Sequence, residues 1–341
     1  MEKEFKIMIL LKKLFFRIST LTFLLIIVFG GFVSCKKRAF IKTEGLVWNT
    51  LYHITFEGEA SLQDSIMPLL EKVGASLSVF DENSLVSKVN ASDTTEVDEM
   101  FMTVYRGALK MNRISNGLFD PTVSPLIEAW GFEKKNPVFP DSLKIDSLLS
   151  FVGISKTALH GKILIKEDRR TRFNFSAIAK GFGCDAVAQM FRRNGVENFM
   201  IEIGGEISVG GKSPSDKKWR ISIDSPFNDT TGYSHTAFSI IEVTDCGIAT
   251  SGNYRNYRDT EEGRVGHTIS PITGKPVQNE IISTTIIAPD AMMADATATA
   301  CMASTLEDAK EIISKTGYQA FFILPDSVWS SPGFPFAESP K

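Results

Sequence analysis

The sequence predicts an α+β fold, and three observations carry the prediction. Helical and strand-like hydrophobic periods both occur between residues 45 and 324. They mix without the regular strand–helix–strand alternation that builds a parallel sheet. No repeat and no low-complexity linker interrupts this stretch, so it reads as one continuous unit.

Taken in chain order, 46–56 has strand character, with Thr50, Tyr52, Ile54 and Phe56 alternating along it. Leu62, Ile66, Leu69, Leu70, Val73 and Leu77 repeat at helical spacing. The same period predicts a helix over 100–114, ended by Asn116-Gly117, and a shorter one over 141–151. A hairpin is expected over 163–175 around Glu167-Asp168, and then a helix over 178–194 stopped by Asn194-Gly195. Strands follow at 199–203, 219–224, 238–244 and 281–288, with helices over 290–303 and 306–316 and a last strand at 320–324. The prolines and serines of 325–341 read as a surface tail.

The leader is different in kind. Lys3, Lys6, Lys12, Lys13 and Arg17 precede an uncharged, mostly apolar run from Ile18 to Ser34. That run ends Gly30-Gly31-Phe32-Val33-Ser34-Cys35, with Lys36-Lys37-Arg38 behind it. A basic segment, an apolar segment and a small-residue end make a secretory signal. A cysteine at this point resembles a bacterial lipobox, which implies Cys35 as a lipidated mature N-terminus. The expected division is a signal over 1–35, a linker over 36–44, the catalytic unit over 45–324 and the tail. The alternative is an uncleaved membrane anchor. Either way the catalytic unit is exported and lies on the periplasmic side.

Composition narrows the classes. The 341 residues carry 37 Lys and Arg against 40 Asp and Glu, a formal charge of −3. No basic stripe interleaved with aromatics offers a footprint for nucleic acid. The cysteines beyond the leader, Cys184, Cys246 and Cys301, have no C-x-x-C spacing. They read as small buried hydrophobes and leave room for at most one disulfide.

Five segments could carry chemistry. In Gly117-Leu118-Phe119-Asp120-Pro121, Asp120 can cap the next helix with Pro121 at its first position. In Asn174-Phe175-Ser176-Ala177-Ile178-Ala179-Lys180-Gly181, a strand runs into a helix whose first turn holds a lysine, an arrangement suited to an anion. Its spacing is not that of a Walker A loop. Gly204-Gly205-Glu206 permits close approach of backbone to a ligand, or simply a turn. Gly266-His267-Thr268 places a histidine in a Gly/Pro-rich loop, as a general base or as a loop side chain without a partner. Asp295 and Thr299 are four apart in an alanine-rich helix and share a face, which suits a hard cation or plain helix back-bonding.

In this order, and with Leu77-Ser78-Val79-Phe80-Asp81 ahead of them, these segments resemble the ApbE family of FAD:protein FMN transferases. The resemblance implies a T-fold-like α+β core of antiparallel strands with packed helices. It implies Mg²⁺ held by Asp295, Thr299 and the main-chain carbonyl of Ala177. It places FAD, as substrate, among Trp48, Phe80, Leu118, Phe119, Asp120, Asn174, Lys180 and Gly266. His267 and Asp295 become the catalytic residues. The implied partner is a periplasmic or membrane protein that receives FMN on a Thr or Ser, with AMP released. A Mg²⁺-dependent FAD pyrophosphatase, or a flavin-binding lipoprotein without turnover, would use the same residues. The chain departs from the family at Trp48-Asn49-Thr50, where Met-Gly-Thr is usual, at Asn174 for Asp, and at Ser270 for the Asp of His-x-x-Asp-Pro.

Overall fold

The computed structural model describes residues 39–131, 139–227, 236–252, 257–260, 263–266, 268–277 and 279–338. In the leader it describes Met1, Lys3, Ile7, Met8, Leu10, Lys12, Phe15 and Phe16. The chain divides into two units, Met1–Ala39 and Phe40–Lys341. No described helix is long and apolar enough to cross a membrane. Cys35 and the apolar run before it lie outside the described residues.

An antiparallel sheet of eight strands organises the second unit. It opens with β1 (Phe40–Val47) and β2 (Thr50–Glu57), where the sequence predicts one strand. Trp48 and Asn49 both take positive φ, 51° and 61°, the left-handed pair that closes a two-residue hairpin. The sheet continues through β6 (Phe199–Ile203), β7 (Glu206–Gly210), β10 (Cys246–Gly252), β13 (Ser283–Ala288), β14 (Gln319–Ile323) and β15 (Val328–Ser330). The pattern of β6 alternates buried and half-buried, as a strand with one covered face should. All six residues of β13 are buried, so both sheet faces are covered there.

On one face lie α6 (Ala179–Arg193) and α7 (Ala291–Met302). α7 is apolar nearly all round and buried along most of its length, a central core helix. Beyond it pack α1 (Ile66–Leu77), α3 (Glu99–Ile114) and α8 (Leu306–Thr316). Phe101, Tyr105, Phe173 and Phe175 stack and tilt against one another with centroids 5.2–6.4 Å apart. Burying each such ring contributes about 1.5–3 kcal/mol. The other sheet face is covered by a three-stranded sheet, β8 (Trp219–Asp224), β9 (Ala237–Val243) and β16 (Phe336–Glu338). Smaller pieces complete the unit: α2 (Leu85–Ala91), α4 (Ser124–Trp130), α5 (Ser142–Leu149), and the sheet of β3 (Thr94–Glu96), β5 (Ile163–Lys166) and β4 (Thr157–His160). β11 (Tyr257–Thr260) and β12 (Gly263–Gly266) pair as a separate ribbon.

Three expectations are corrected. The 325–341 tail is, through residue 338, part of the fold: β15 extends the main sheet, and β16 pairs with β9. Phe334 packs tilted and Phe336 edge-on against Phe321, which anchors the segment by apolar contact that its prolines disguise. The 163–175 hairpin is instead β4–β5, turning at Gly161 with φ +59°. The Lys166 ammonium donates to the carbonyls of Arg169 and Thr171, which folds 167–171 into a turn and not a strand. The helix after Asp120 begins only at Ser124, with Pro125 in its first turn, so Asp120 does not cap it.

Candidate active site

Two glycines bring α6 and α7 to the same place. A Cβ on Gly181 would lie 2.2 Å from the Ala291 carbonyl oxygen, and one on Gly247 2.0 Å from the Ala291 nitrogen. No side chain fits at either point, so the first turn of α6 packs directly on the start of α7. The Asp185 carboxylate reinforces the contact, accepting from the Ala291 and Met292 amides at 3.0 and 2.8 Å. Asp295, one turn further along α7, therefore reaches α6, and its Oδ2 accepts from the Gly181 amide at 3.2 Å.

A third glycine admits Lys180. Gly204, at φ +61°, turns β6 into β7, and a Cβ there would meet Thr50 Oγ1 at 2.9 Å and Lys180 Cδ at 3.3 Å. The lysine stem crosses the turn at this point. Its ammonium ends 2.5 Å from Oε2 of Glu206, the first residue of β7. Oε2 is fully buried, and the Lys180 ammonium is its ion-pair partner. Asp295 and Glu206 are each 3% exposed. Burial raises both carboxyls above their usual range; the charge of Asp295 adds to this at Glu206, and Lys180 opposes it at both. The Lys180 ammonium is itself desolvated, but Glu206 and Asp295 hold its pKa above the usual value.

These groups open into a cavity of about 410 Å³. Leu118, Phe119, Asp120, Asn174, Ala177, Lys180, Asp295 and Thr299, all singled out from the sequence, line it. Asn174 uses its Oδ1 to accept from the Ser176 amide at 2.9 Å, which shapes the turn into α6. Asp120 is saturated. Its Oδ1 accepts from the Thr122 amide and hydroxyl at 2.8 and 2.6 Å, and its Oδ2 from the Ile154 amide and Asn112 Nδ2 at 2.9 and 3.1 Å. Burial still raises its carboxyl, with those donors pulling the other way.

Other residues from the sequence reading lie elsewhere. Trp48 does not line this cavity; it packs into a notch where Cβ atoms on Gly74 and Gly183 would lie 2.9 and 2.6 Å from its ring. Phe80 does not line it either and is 77% exposed. Gly266 ends β12, and His267 lies outside the described residues. Its neighbour Thr268 lines the cavity. Sequence reasoning assigned no role to Glu206, Thr250 or Ser251, which also line it. The signal for Glu206 was a carboxylate directly after Gly204-Gly205, entering a strand whose first position is buried.

The donor set fits a hard divalent cation. Among the described residues no group of three or more His, Cys, Asp or Glu could hold a metal. Asp295, whose carboxylate accepts one long hydrogen bond, lines the cavity with Thr299 and Ala177, and a carboxylate, a hydroxyl and a main-chain carbonyl are oxygen donors such a cation takes. Asp295 and Glu206 share the one ammonium of Lys180 in a desolvated place, and burial raises both carboxyls. A cation beside Asp295 would favour its ionised form.

The family model described as "ApbE family" matches residues 48–322. A relative from Vibrio cholerae, "FAD:protein FMN transferase", is 34% identical over 79% of this chain and 83% of its own length. One of the same name from Haemophilus influenzae is 30% identical over 85% and 88%. Among solved structures, "Flavin Transferase ApbE from Vibrio cholerae" superposes with a TM-score of 0.77 at 30% identity, covering 87% of this chain and 98% of that one. The apo form of a Pseudomonas stutzeri flavinyl transferase, at 24% identity and a TM-score of 0.79, shares the fold. With the α+β architecture, the order of the motifs and a family match across most of its length, this chain belongs to the ApbE family.

Proposed function

We propose that the chain transfers the FMN half of FAD to a Thr or Ser hydroxyl of another protein and releases AMP. The observation that carries this is the desolvated Lys180–Glu206–Asp295 cluster opening into the cavity at the N-terminus of α6. Pyrophosphate cleavage needs negative charge held in place and a positioned nucleophile. The acceptor oxygen attacks the FMN phosphorus, the bond from that phosphorus to the bridging oxygen breaks, and AMP departs with the bridging oxygen. Lys180 stabilises charge on the phosphates. Leu118, Phe119 and Asn174 form part of the wall against which FAD lies. Asp295, Thr299 and the Ala177 carbonyl are suited to hold Mg²⁺, which when bound neutralises phosphate charge and polarises the phosphoryl oxygens. His267, adjacent to the cavity-lining Thr268, takes the hydroxyl proton in this reading.

The leader supports an exported enzyme lipidated on Cys35, whose acceptor is a periplasmic or membrane protein. Detergent phase partitioning of wild type and Cys35→Ser tests the anchor; equal partitioning removes it. Protein lacking residues 1–35, given FAD, Mg²⁺ and an acceptor, tests the reaction. Flavin fluorescence that stays on the denatured acceptor and needs Mg²⁺ establishes transfer. Free FMN and AMP with an unlabelled acceptor would make the enzyme a pyrophosphatase, and intact FAD would leave only binding.

A further inference from the structure

The site holds one more charged group than a metal-and-lysine phosphate site requires. Asp295, Thr299 and the Ala177 carbonyl account for the cation, and Lys180 for the phosphates. Glu206 has no place in that division, yet it is as deeply buried as Asp295. Its side chain is 4% exposed, against 34% for Lys180. The partner of its buried Oε2 is the Lys180 ammonium. Its backbone is fixed at the start of β7, where its carbonyl accepts from Cys184 Sγ at 3.2 Å. Lys180, by contrast, ends a flexible stem at the cavity wall and is held against Glu206 at 2.5 Å.

The consequence is electrostatic. Two buried carboxyls share one ammonium before any phosphate enters, so the cluster has no positive charge to spare. A pyrophosphate is repelled by the ionised carboxylate and must compete with it for Lys180. In a desolvated cavity that repulsion is screened far less than in water. A divalent cation beside Asp295 reverses the balance and lets Lys180 turn to the phosphates.

We propose that Glu206 is a positioning residue that makes phosphate binding conditional on the cation: it holds Lys180 back and repels pyrophosphate until a divalent ion occupies the Asp295 corner. Bare nucleotide diphosphate is thereby excluded, while cation and nucleotide bind with positive coupling. The inference rests on the FAD-binding reading above and adds an order and a linkage to it.

Calorimetric binding of ADP, an unreactive carrier of the adenosine pyrophosphate group, tests it on protein lacking residues 1–35. Affinity is measured in EDTA and in saturating Mg²⁺, with formation of the Mg²⁺–ADP complex in free solution subtracted. In wild type, Mg²⁺ should tighten ADP by about tenfold or more. In Glu206→Gln, ADP should bind about tenfold tighter than wild type in EDTA, and the two proteins should converge in Mg²⁺. Glu206→Asp, which keeps the charge, should retain the linkage. If Glu206→Gln does not fold, Glu206→Met removes the charge at similar volume and replaces it. The inference is overturned if the neutral variant binds ADP no tighter than wild type in EDTA, or if wild type shows no Mg²⁺ linkage. Failure of wild type to bind ADP in either condition would sink the FAD reading as well, so the two failures are distinguishable.

Discussion

Asp120 and Asp295 line the same cavity, and both are carboxylates whose burial raises their pKa. Asp120 receives four hydrogen bonds, two on each oxygen, from Thr122, Ile154 and Asn112. Asp295 receives one, from the Gly181 amide at 3.2 Å, with the Lys180 charge nearby. The first carboxylate is spent on structure: it fastens the turn after Phe119 to the loop at Ile154. The second is kept short of donors, an arrangement whose cost makes sense where a cation completes the set. Number of donors, and not burial or position on the cavity wall, is what distinguishes the two carboxylates.

Substitutions at the two corners should therefore fail in different ways. Asp295→Ala is expected to lower FMN transfer by about a thousandfold or more, roughly 4 kcal/mol in the barrier, through loss of the cation. Its melting temperature should not fall, because a poorly satisfied buried charge is removed. A fall in melting temperature that matches the fall in activity would erase the distinction. Asp120→Ala should instead destabilise the fold by about 2–4 kcal/mol, since four donors lose their acceptor. Urea unfolding measures this, and the folded fraction should keep its Mg²⁺ affinity. A smaller loss, about 1–2 kcal/mol, is expected for Thr122→Val. That change removes the 2.6 Å hydroxyl bond to Asp120 and the acceptor of the Gly153 amide. If Thr122→Val matches Asp120→Ala, the four bonds act as one unit and the donor count loses its meaning.

How much of this was legible in the sequence depended on the range of the interactions. Helical periods placed α3, α6, α7 and α8 nearly to the residue, because those signals are local. The carboxylate and hydroxyl at Asp295 and Thr299 were visible for the same reason. What the sequence could not show was that Gly181 is a contact surface for Ala291, or that Gly204 is the gap through which Lys180 passes. Both are meetings between segments far apart in the chain. The capping role expected of Asp120 fails because Asp-Pro suits a helix start that the chain makes only at Ser124. Its real partners, Ile154 and Asn112, lie 34 residues ahead and eight behind. Glu206 was passed over because a Gly-Gly pair reads equally as a turn. The C-terminal strands were hidden by prolines, and they are held by contacts distant in the chain, Phe334 and Phe336 against Phe321 and β16 against β9.

Asp185 stands between the two corners and gives the finest test of the comparison. It accepts two hydrogen bonds, from the amides of Ala291 and Met292 that open α7. Desolvation pushes its carboxyl up to about 7, against the pull of those two amides. In the unfolded chain an aspartate ionises near pH ~4. Between that pH and about 7 the folded protein binds the extra proton, so stability is greatest at the acid end and falls as pH rises. One group can contribute a slope of at most about 1.4 kcal/mol per pH unit. Urea midpoints should accordingly decline for wild type from pH 5 to pH 7.5. Asp185→Asn should start lower, because one amide loses its acceptor, but should decline less steeply. Equal slopes for the two proteins would mean that the two amides already hold the carboxylate ionised across this range. Two well-placed backbone donors would then suffice to make a buried carboxylate scaffold, as four do at Asp120, and Asp295 with its one would stand alone.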